Sequence, residues 1–223
     1  MERHVTQNRC RPGPAGPVGT VFLLLCLARV CAAADFSADI VGGNAAPAKV
    51  YTANGKVRIE TPEAATGFFL VDGAVGTAVF VRPNQQIFTD ARQSSRLTRL
   101  FIPVDPENPC LQWQAAARNA GVPSADGEWH CERVEGGKAD DRPITQWRVT
   151  SPNQDSGQCW IDSSLGFPVR VRLSDGATFA LENIRVAAQS ADLFTIPPTY
   201  RKLDPQSLLE RIKHSDVWVE SPQ

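Results

Sequence analysis

Apolar and polar side chains alternate strictly along part of the stretch from Trp160 to Ile184. Phe167, Val169, Val171 and Leu173 fall on one face and Arg170 and Arg172 on the other, the period-two signature of a half-buried strand. Ser174-Asp175-Gly176 then turns the chain. A two-residue Asp-Gly loop would set Phe179 opposite Arg172 and mix the faces. A three-residue loop with Gly176 left-handed sets Val171 opposite Phe179 and Val169 opposite Leu181, so the apolar parity selects it.

The same reasoning organises the rest of the chain. Phe36, Ala38 and Ile40 alternate with Ser37 and Asp39 and predict an opening strand ended by Gly42-Gly43-Asn44. Asn54-Gly55 is the preferred pair for a two-residue type I′ turn. Counting outward from it pairs Thr52 with Val57, Tyr51 with Arg58, Val50 with Ile59 and Lys49 with Glu60. Further strands are expected over 66–72, 77–81 and 86–89. Between Ala91 and Gly121 the period becomes helical: Leu97, Leu100 and Phe101 form a first helix, and a second begins with Asn108 as cap and Pro109 in its first turn. The stripe of Trp113, Ala116, Ala117 and Ala120 is narrow and small, suited to lying close over a sheet. Strands return over 128–134 and 144–150 with a turn region at Gly136-Gly137, and over 185–189. Phe194-Thr195-Ile196-Pro197-Pro198 is expected to close the sheet region. A last helix is predicted from Asp204 as cap, with Leu208, Leu209 and Ile212 on its apolar side.

Composition narrows the class. The 223 residues are 42% hydrophobic, enough for one substantial core, and 17 prolines and 16 glycines with a single Met favour short strands joined by turns. A formal net charge of −1 without long charged runs argues against nucleic acid as a partner. Arg3, Arg9 and Arg11 precede an apolar run within 20–30, and Ala32-Ala33-Ala34 follows. This predicts a secretory signal peptide over 1–34, cleaved near Ala34, and a periplasmic or secreted protein. The run is too short to span a membrane, which takes about 20 apolar residues, so the mature chain has no predicted transmembrane helix.

Export leaves Cys110, Cys131 and Cys159 in an oxidising compartment, one of them without a partner. Nothing in the residues requires a bridge. Cys110 and Cys131 flank a connection containing Gly and Pro whose closure can bring them together, while Cys159 lies beside Trp160 at the start of a strand. The expected bridge is Cys110 to Cys131, with Cys159 buried.

No constellation defines a reaction. His130 and His214 lie in no Ser-His-Asp or Cys-His setting, and there is no nucleophile elbow, phosphate loop, His-Glu-x-x-His or Cys-x-x-Cys. A zinc site from Cys110, His130, Cys131 and Cys159 is disfavoured, because neighbours on one strand point to opposite faces. No metal and no cofactor are expected. Asp155, Asp162 and Glu182 read as solvated or capping acids, not a catalytic pair. Arg58, Arg170 and Arg172 read as the polar face of strands. Trp113, Trp129, Trp147, Trp160 and Trp218 serve a core or a pocket equally well.

Phe36-Ser-Ala-Asp-Ile, Lys49-Val-Tyr with Gly55-Lys-Val-Arg-Ile, Phe69-Leu-Val-Asp-Gly and Pro83-Asn-Gln-Gln-Ile-Phe occur in an order that resembles the LolA-like superfamily of periplasmic lipoprotein carriers. Trp160-Ile-Asp, Gly166-Phe-Pro-Val-Arg-Val, Asp175-Gly, Leu181-Glu-Asn-Ile and Leu193-Phe-Thr-Ile-Pro-Pro-Thr-Tyr resemble an uncharacterised branch of it. The likeness spans 35–203; the 110–131 segment and the tail 204–223 do not match the carriers. It implies an α+β fold, mainly antiparallel β, in which an incomplete, unclosed β-barrel wraps around a helical lid. It implies also an apolar cavity, here expected to be lined by Phe69, Val79, Val169, Val171, Phe179 and Leu181. Arg58 matches a strand arginine of the family. The function expected is a non-enzymatic envelope or secreted binding protein holding or sensing a lipid or acyl-chain ligand. The alternative is an interaction protein with a filled barrel and a tail that docks a protein partner, and an enzyme ranks below both.

Overall fold

The turn signals at Gly42-Gly43, Asn54-Gly55, Asp72-Gly73 and Asp175-Gly176 become connections between antiparallel strands. The structure, a computed structural model, describes residues 34–43, 45–62, 66–123, 125–139 and 141–204. In chain order these form β1 (Phe36–Gly42), β2 (Ala45–Ala53), β3 (Lys56–Glu60), β4 (Phe68–Asp72), β5 (Thr77–Arg82), β6 (Ile87–Asp90), α1 (Leu97–Leu100) and α2 (Cys110–Asn119). There follow β7 (His130–Ala139), β8 (Arg142–Thr150), β9 (Ser156–Asp162), β10 (Phe167–Arg172), β11 (Thr178–Val186) and β12 (Arg201–Lys202). The strands make one sheet in the order β12-β6-β5-β4-β3-β2-β1-β11-β10-β9-β8-β7. Every neighbouring pair is antiparallel except β12 with β6. The sheet is unclosed, with β7 and β12 as its edges.

Turn chemistry sets the registers as expected. Asn54 and Gly55 both have positive φ (51° and 76°), and β2 pairs with β3 through Lys49–Glu60, Val50–Ile59, Tyr51–Arg58 and Thr52–Val57. Gly176, at φ 83°, closes the three-residue loop: the Leu173 amide donates to the Ala177 carbonyl at 2.8 Å, and Val171 stands opposite Phe179.

The expected predominance of antiparallel β holds, and with only two short helices among the described residues the helical share is smaller than an α+β class implies. Three expectations are corrected. Gly136 and Gly137 do not turn the chain; they lie inside β7 opposite Thr145 and Ile144, on an exposed edge where glycine costs little packing. The turn comes later, around Asp141 at φ 60°. Asn108 does not cap α2. The residue before the helix is Pro109, with no side-chain cap, and the preceding turn is closed by Asp105, whose side chain accepts from the Glu107 amide at 2.9 Å. The strand expected over 185–189 ends at Val186, and Phe194 belongs to a 3₁₀ turn (Ala191–Phe194) in which Ser190 accepts from the Asp192 amide. The predicted C-terminal helix after Asp204 and the leader lie outside the described residues.

One face of the sheet carries the main core. Phe36, Val50, Val57, Ile59, Phe69, Ile161, Phe167 and Val171 pack there with Phe101, Ile102 and Trp113 from the helical segment. The small stripe of α2 meets this face as its spacing implies, with Trp113, Ala117 and Ala120 buried. The opposite face has a second cluster. Ala53, Phe68, Leu70 and Val81 are covered by Phe194, Leu193, Ile196 and Tyr200 of a strap that follows β11 and ends as β12 beside β6. Burial on both faces explains the unbroken apolar run Phe68–Val71. Arg58 fastens the strap: its guanidinium lies 3.5 Å from the Phe68 ring centroid and donates to the Leu193 carbonyl at 3.2 Å and to Glu60 at 2.8 Å.

Candidate functional site

Where the helical segment meets the ends of β8, β9 and β10, side chains leave a cleft of about 390 Å³. Its wall is Val149 on β8, Cys159 on β9, and Val171 and Leu173 on and just after β10. Its lid is Leu100, Trp113 and Ala117, continued by Val122 and Trp129. These positions share one cause: alternation turns them to the inner sheet face, and the helical stripe turns its own apolar side to meet them. The rim is polar, with Arg96, Arg99, Arg172, Asn153, Asp155 and Asp175 around it.

Of the six residues expected to line a cavity, Val171 lines this cleft. Phe69, Val169, Phe179 and Leu181 belong to or pack against the same inner core, whereas Val79 joins the outer cluster beneath the strap. Trp113 and Trp129 line the cleft; Trp147 is in the core, and the Trp160 ring lies 5.7 Å from the Arg170 guanidinium. The three arginines singled out from the sequence separate: Arg58 holds the strap, Arg170 lies over the Trp160 ring, and Arg172, exposed, alternates to the face opposite Val171 where β10 ends beside the cleft. Asp155 and Asp162 flank or end β9 and stand apart by roughly its length, about 20 Å, too far for one site. The rim residues Arg96, Arg99 and Asp175 escaped sequence reasoning; the only local signal was a pair of arginines three apart beside Leu97 and Leu100.

The cysteines are divided as expected. Cys110 and Cys131 form a disulfide with a Cα–Cα distance of 5.8 Å, which joins the first residue of α2 to the edge strand β7. Cys159 is free and buried, and burial pushes its thiol far above its usual range, so it is held protonated and unreactive. His130 is exposed, 3.7 Å from Glu128.

At the rim the β10–β11 hairpin meets the helical segment through one ion pair. Asp175 accepts from the Ala177 amide at 2.9 Å and from Arg96 at 2.7 Å, an ion pair that joins the β10–β11 hairpin to the helical segment. The Ala177 amide first, then Arg96, hold its carboxyl below the ordinary value of 3.8. Hydrogen bonds from Lys49 and Asn183 lower Asp39 in the same sense, and Arg92 lowers Asp90. A carboxyl depressed by folding adds stability that is complete above its unfolded value and disappears as pH falls through the folded one. Thermal melts are therefore expected to show a loss from these three acids that sets in at about pH 5, roughly one unit above their ordinary value of 3.8, and grows as pH falls further. Asp175→Asn should flatten part of that acid limb; an unchanged limb would exclude the Arg96 pair as a source of stability.

No family model and no curated protein matches the chain. Solved structures do. The chain is similar to an uncharacterised conserved protein from Thermus thermophilus (10% identity, TM-score 0.45), with 77% of this chain and 90% of that chain covered. It is similar to a LolA superfamily protein from Nitrosomonas europaea (13%, TM-score 0.35), with 73% and 90% covered. It is also similar to a chain of the Pseudomonas aeruginosa MucA/MucB complex (16%, TM-score 0.40), with 76% and 58% covered. A LolA superfamily structure thus stands among its solved likenesses.

Proposed function

We propose that this chain is an exported binding module that holds a lipid-like ligand in the cleft between α1–α2 and strands β8–β10. The observation that carries the reading is the cleft's composition: an apolar wall and lid, of Leu100, Trp113, Val149, Val171 and Leu173, remain open to solvent under a polar rim. Each methylene taken from water into such a surface contributes about 0.8 kcal/mol, so an acyl chain needs only partial burial to be retained. Binding is favoured over catalysis because the cleft's titratable groups sit at its rim, and its buried thiol, Cys159, is held protonated. The leader over 1–34 supports export, and the Cys110–Cys131 bridge suits an oxidising compartment. Among the described residues no helix is long and apolar enough to cross a membrane.

Native mass spectrometry of mature protein purified without detergent is the test, with and without added fatty acid. A bound lipid is expected in the wild type. Val149→Phe, at a half-buried wall position, should exclude it with a stability change of about 1 kcal/mol or less. Failure of the wild type to retain or take up any lipid would end this reading.

A further inference from the structure

We infer that the C-terminal segment 205–223 is the cleft's own occupant when no ligand is bound, held there by Ile212, Val217, Trp218 and Val219 and displaced when a ligand enters. The inference rests on the binding reading above, because it takes the same cleft as its site. Leu100, Trp113, Val149, Val171 and Leu173 leave apolar surface open to solvent there. Such surface is stabilised by an apolar segment that removes it from water. The chain already does this once: the strap lays Leu193, Phe194, Ile196 and Tyr200 over the outer cluster, with a 3₁₀ turn and the two residues of β12 as its regular structure. The residues that follow the strap carry the next apolar group along the chain.

The direction of β12 decides where those residues start. It runs parallel to β6: the Arg201 amide donates to the Gln86 carbonyl at 2.9 Å and the Leu203 amide to the Phe88 carbonyl at 2.7 Å. The chain therefore leaves the sheet at the end where β6 leaves it, heading as β6 does toward the helical segment. Beyond β6 that path lies against the lid. The Gln93 side chain donates to the Ala120 carbonyl at 2.6 Å and the Arg92 guanidinium to the Asn119 carbonyl, just before Val122 of the cleft lining. Phe88 and the rim residue Arg96 are eight positions apart, so covalent reach alone puts Leu203 within about 35 Å of the cleft. Val217-Trp218-Val219, about 15 residues past Leu203, commands up to about 50 Å of chain, and Ile212 about 30 Å. A tethered segment meets its site at an effective concentration on the order of 1 mM. If the same segment bound as a free peptide with a Kd of about 0.25 mM, it would fill the cleft about four-fifths of the time and weaken ligand binding about fivefold.

The test places a nitroxide on Ser215→Cys in the full mature chain; Cys110 and Cys131 are bridged and Cys159 is buried, so the label goes to one position. NMR signals of the Val149, Val171 and Leu173 methyls and of the Trp113 indole should be broadened by it, and should recover when myristate is added below its micellar concentration. No broadening at these four residues overturns the inference. Labelled protein mixed with unlabelled, isotope-enriched protein distinguishes a chain's own tail from a neighbour's: broadening of the enriched chain in the mixture means that a second copy fills the cleft, and overturns the intramolecular occupant. Calorimetric titration gives an independent readout. Ile212→Ser combined with Trp218→Ser should bind myristate about fivefold more tightly than the wild type. Myristate binding with the same affinity in that variant and the wild type overturns this inference and leaves the lipid reading intact. Broadening of the cleft signals with no myristate bound by either protein supports the tail as occupant and overturns the lipid reading alone.

Discussion

Asp162→Ala is expected to destabilise the protein by about 3 kcal/mol. Asp162 ends β9 and is fully buried, yet every contact it makes is specific. One carboxylate oxygen accepts from the Ser164 amide at 2.8 Å and the Leu165 amide at 3.2 Å; the other accepts from Arg142 at 3.1 Å. The carboxylate thus closes the turn between β9 and β10 and ties it to β8. The same turn presents the Gly166 carbonyl to the Val104 amide at 2.9 Å, so it also anchors the segment that leads into α2. Leu165 and Phe167, on either side, are among the deepest residues of the core. Removing the side chain leaves two turn amides and a guanidinium without their acceptor. The cost stays at the low end for a broken buried pair because Arg142 keeps partial access to solvent. Asp162→Asn preserves an acceptor for the two amides and should lose about half as much. Urea unfolding of the three proteins measures both; a loss below 1 kcal/mol for the alanine variant would mean that the turn is held by Leu165 and Phe167 packing alone.

Asp162 also shows where sequence reading reaches its limit. A carboxylate before Ser163-Ser164 reads as a capping acid from local pattern, and it is one; that it is buried depends on Arg142, twenty residues away. Features written into adjacent residues were legible. Asn54-Gly55 and Asp175-Gly176 determine registers because backbone conformation at the turn dictates which side chains face each other. The α2 stripe and the division of the cysteines were legible for similar reasons. Alternation alone, however, distinguishes two faces without saying which looks inward. Val79 was assigned with Phe69 and Val171, but the parity of β5 places Ala78 and Phe80 toward the main core and Val79 and Val81 toward the strap. The strap itself leaves little trace: its ten or so residues have no periodicity, and β12 is a two-residue parallel strand. The cleft rim is equally non-local, since Arg96 and Asp175 meet across 79 positions of sequence.

Replacing both bridged cysteines, Cys110→Ser with Cys131→Ser, is expected to cost about 3 kcal/mol, the entropy regained by the unfolded chain when a closed loop of this length is opened. The separation of 21 residues encloses α2 and the connection that carries Val122 and Trp129, which is most of the lid. The strand at the other end is β7, an edge held by β8 alone, so the bridge ties the lid helix to the strand beside the cleft wall. Loss of the bridge should therefore loosen the cleft as well as the fold: Trp113 and Ala117, on α2, form its lid, and ligand dissociation should quicken in the variant. Urea unfolding with and without reductant gives the first quantity, and the wild type under reductant should match the double variant. Thiol labelling of native wild-type protein should leave Cys110, Cys131 and Cys159 unmodified, because the first two are bridged and Cys159 is buried and kept protonated. Labelling at Cys159 in the double variant, at the same urea concentration that leaves wild type unlabelled, would show that the bridge protects the wall of the cleft. Stability unchanged by the double substitution would mean that the lid is held to the sheet by the packing of Trp113, Ala117 and Ala120 without help from the covalent tie.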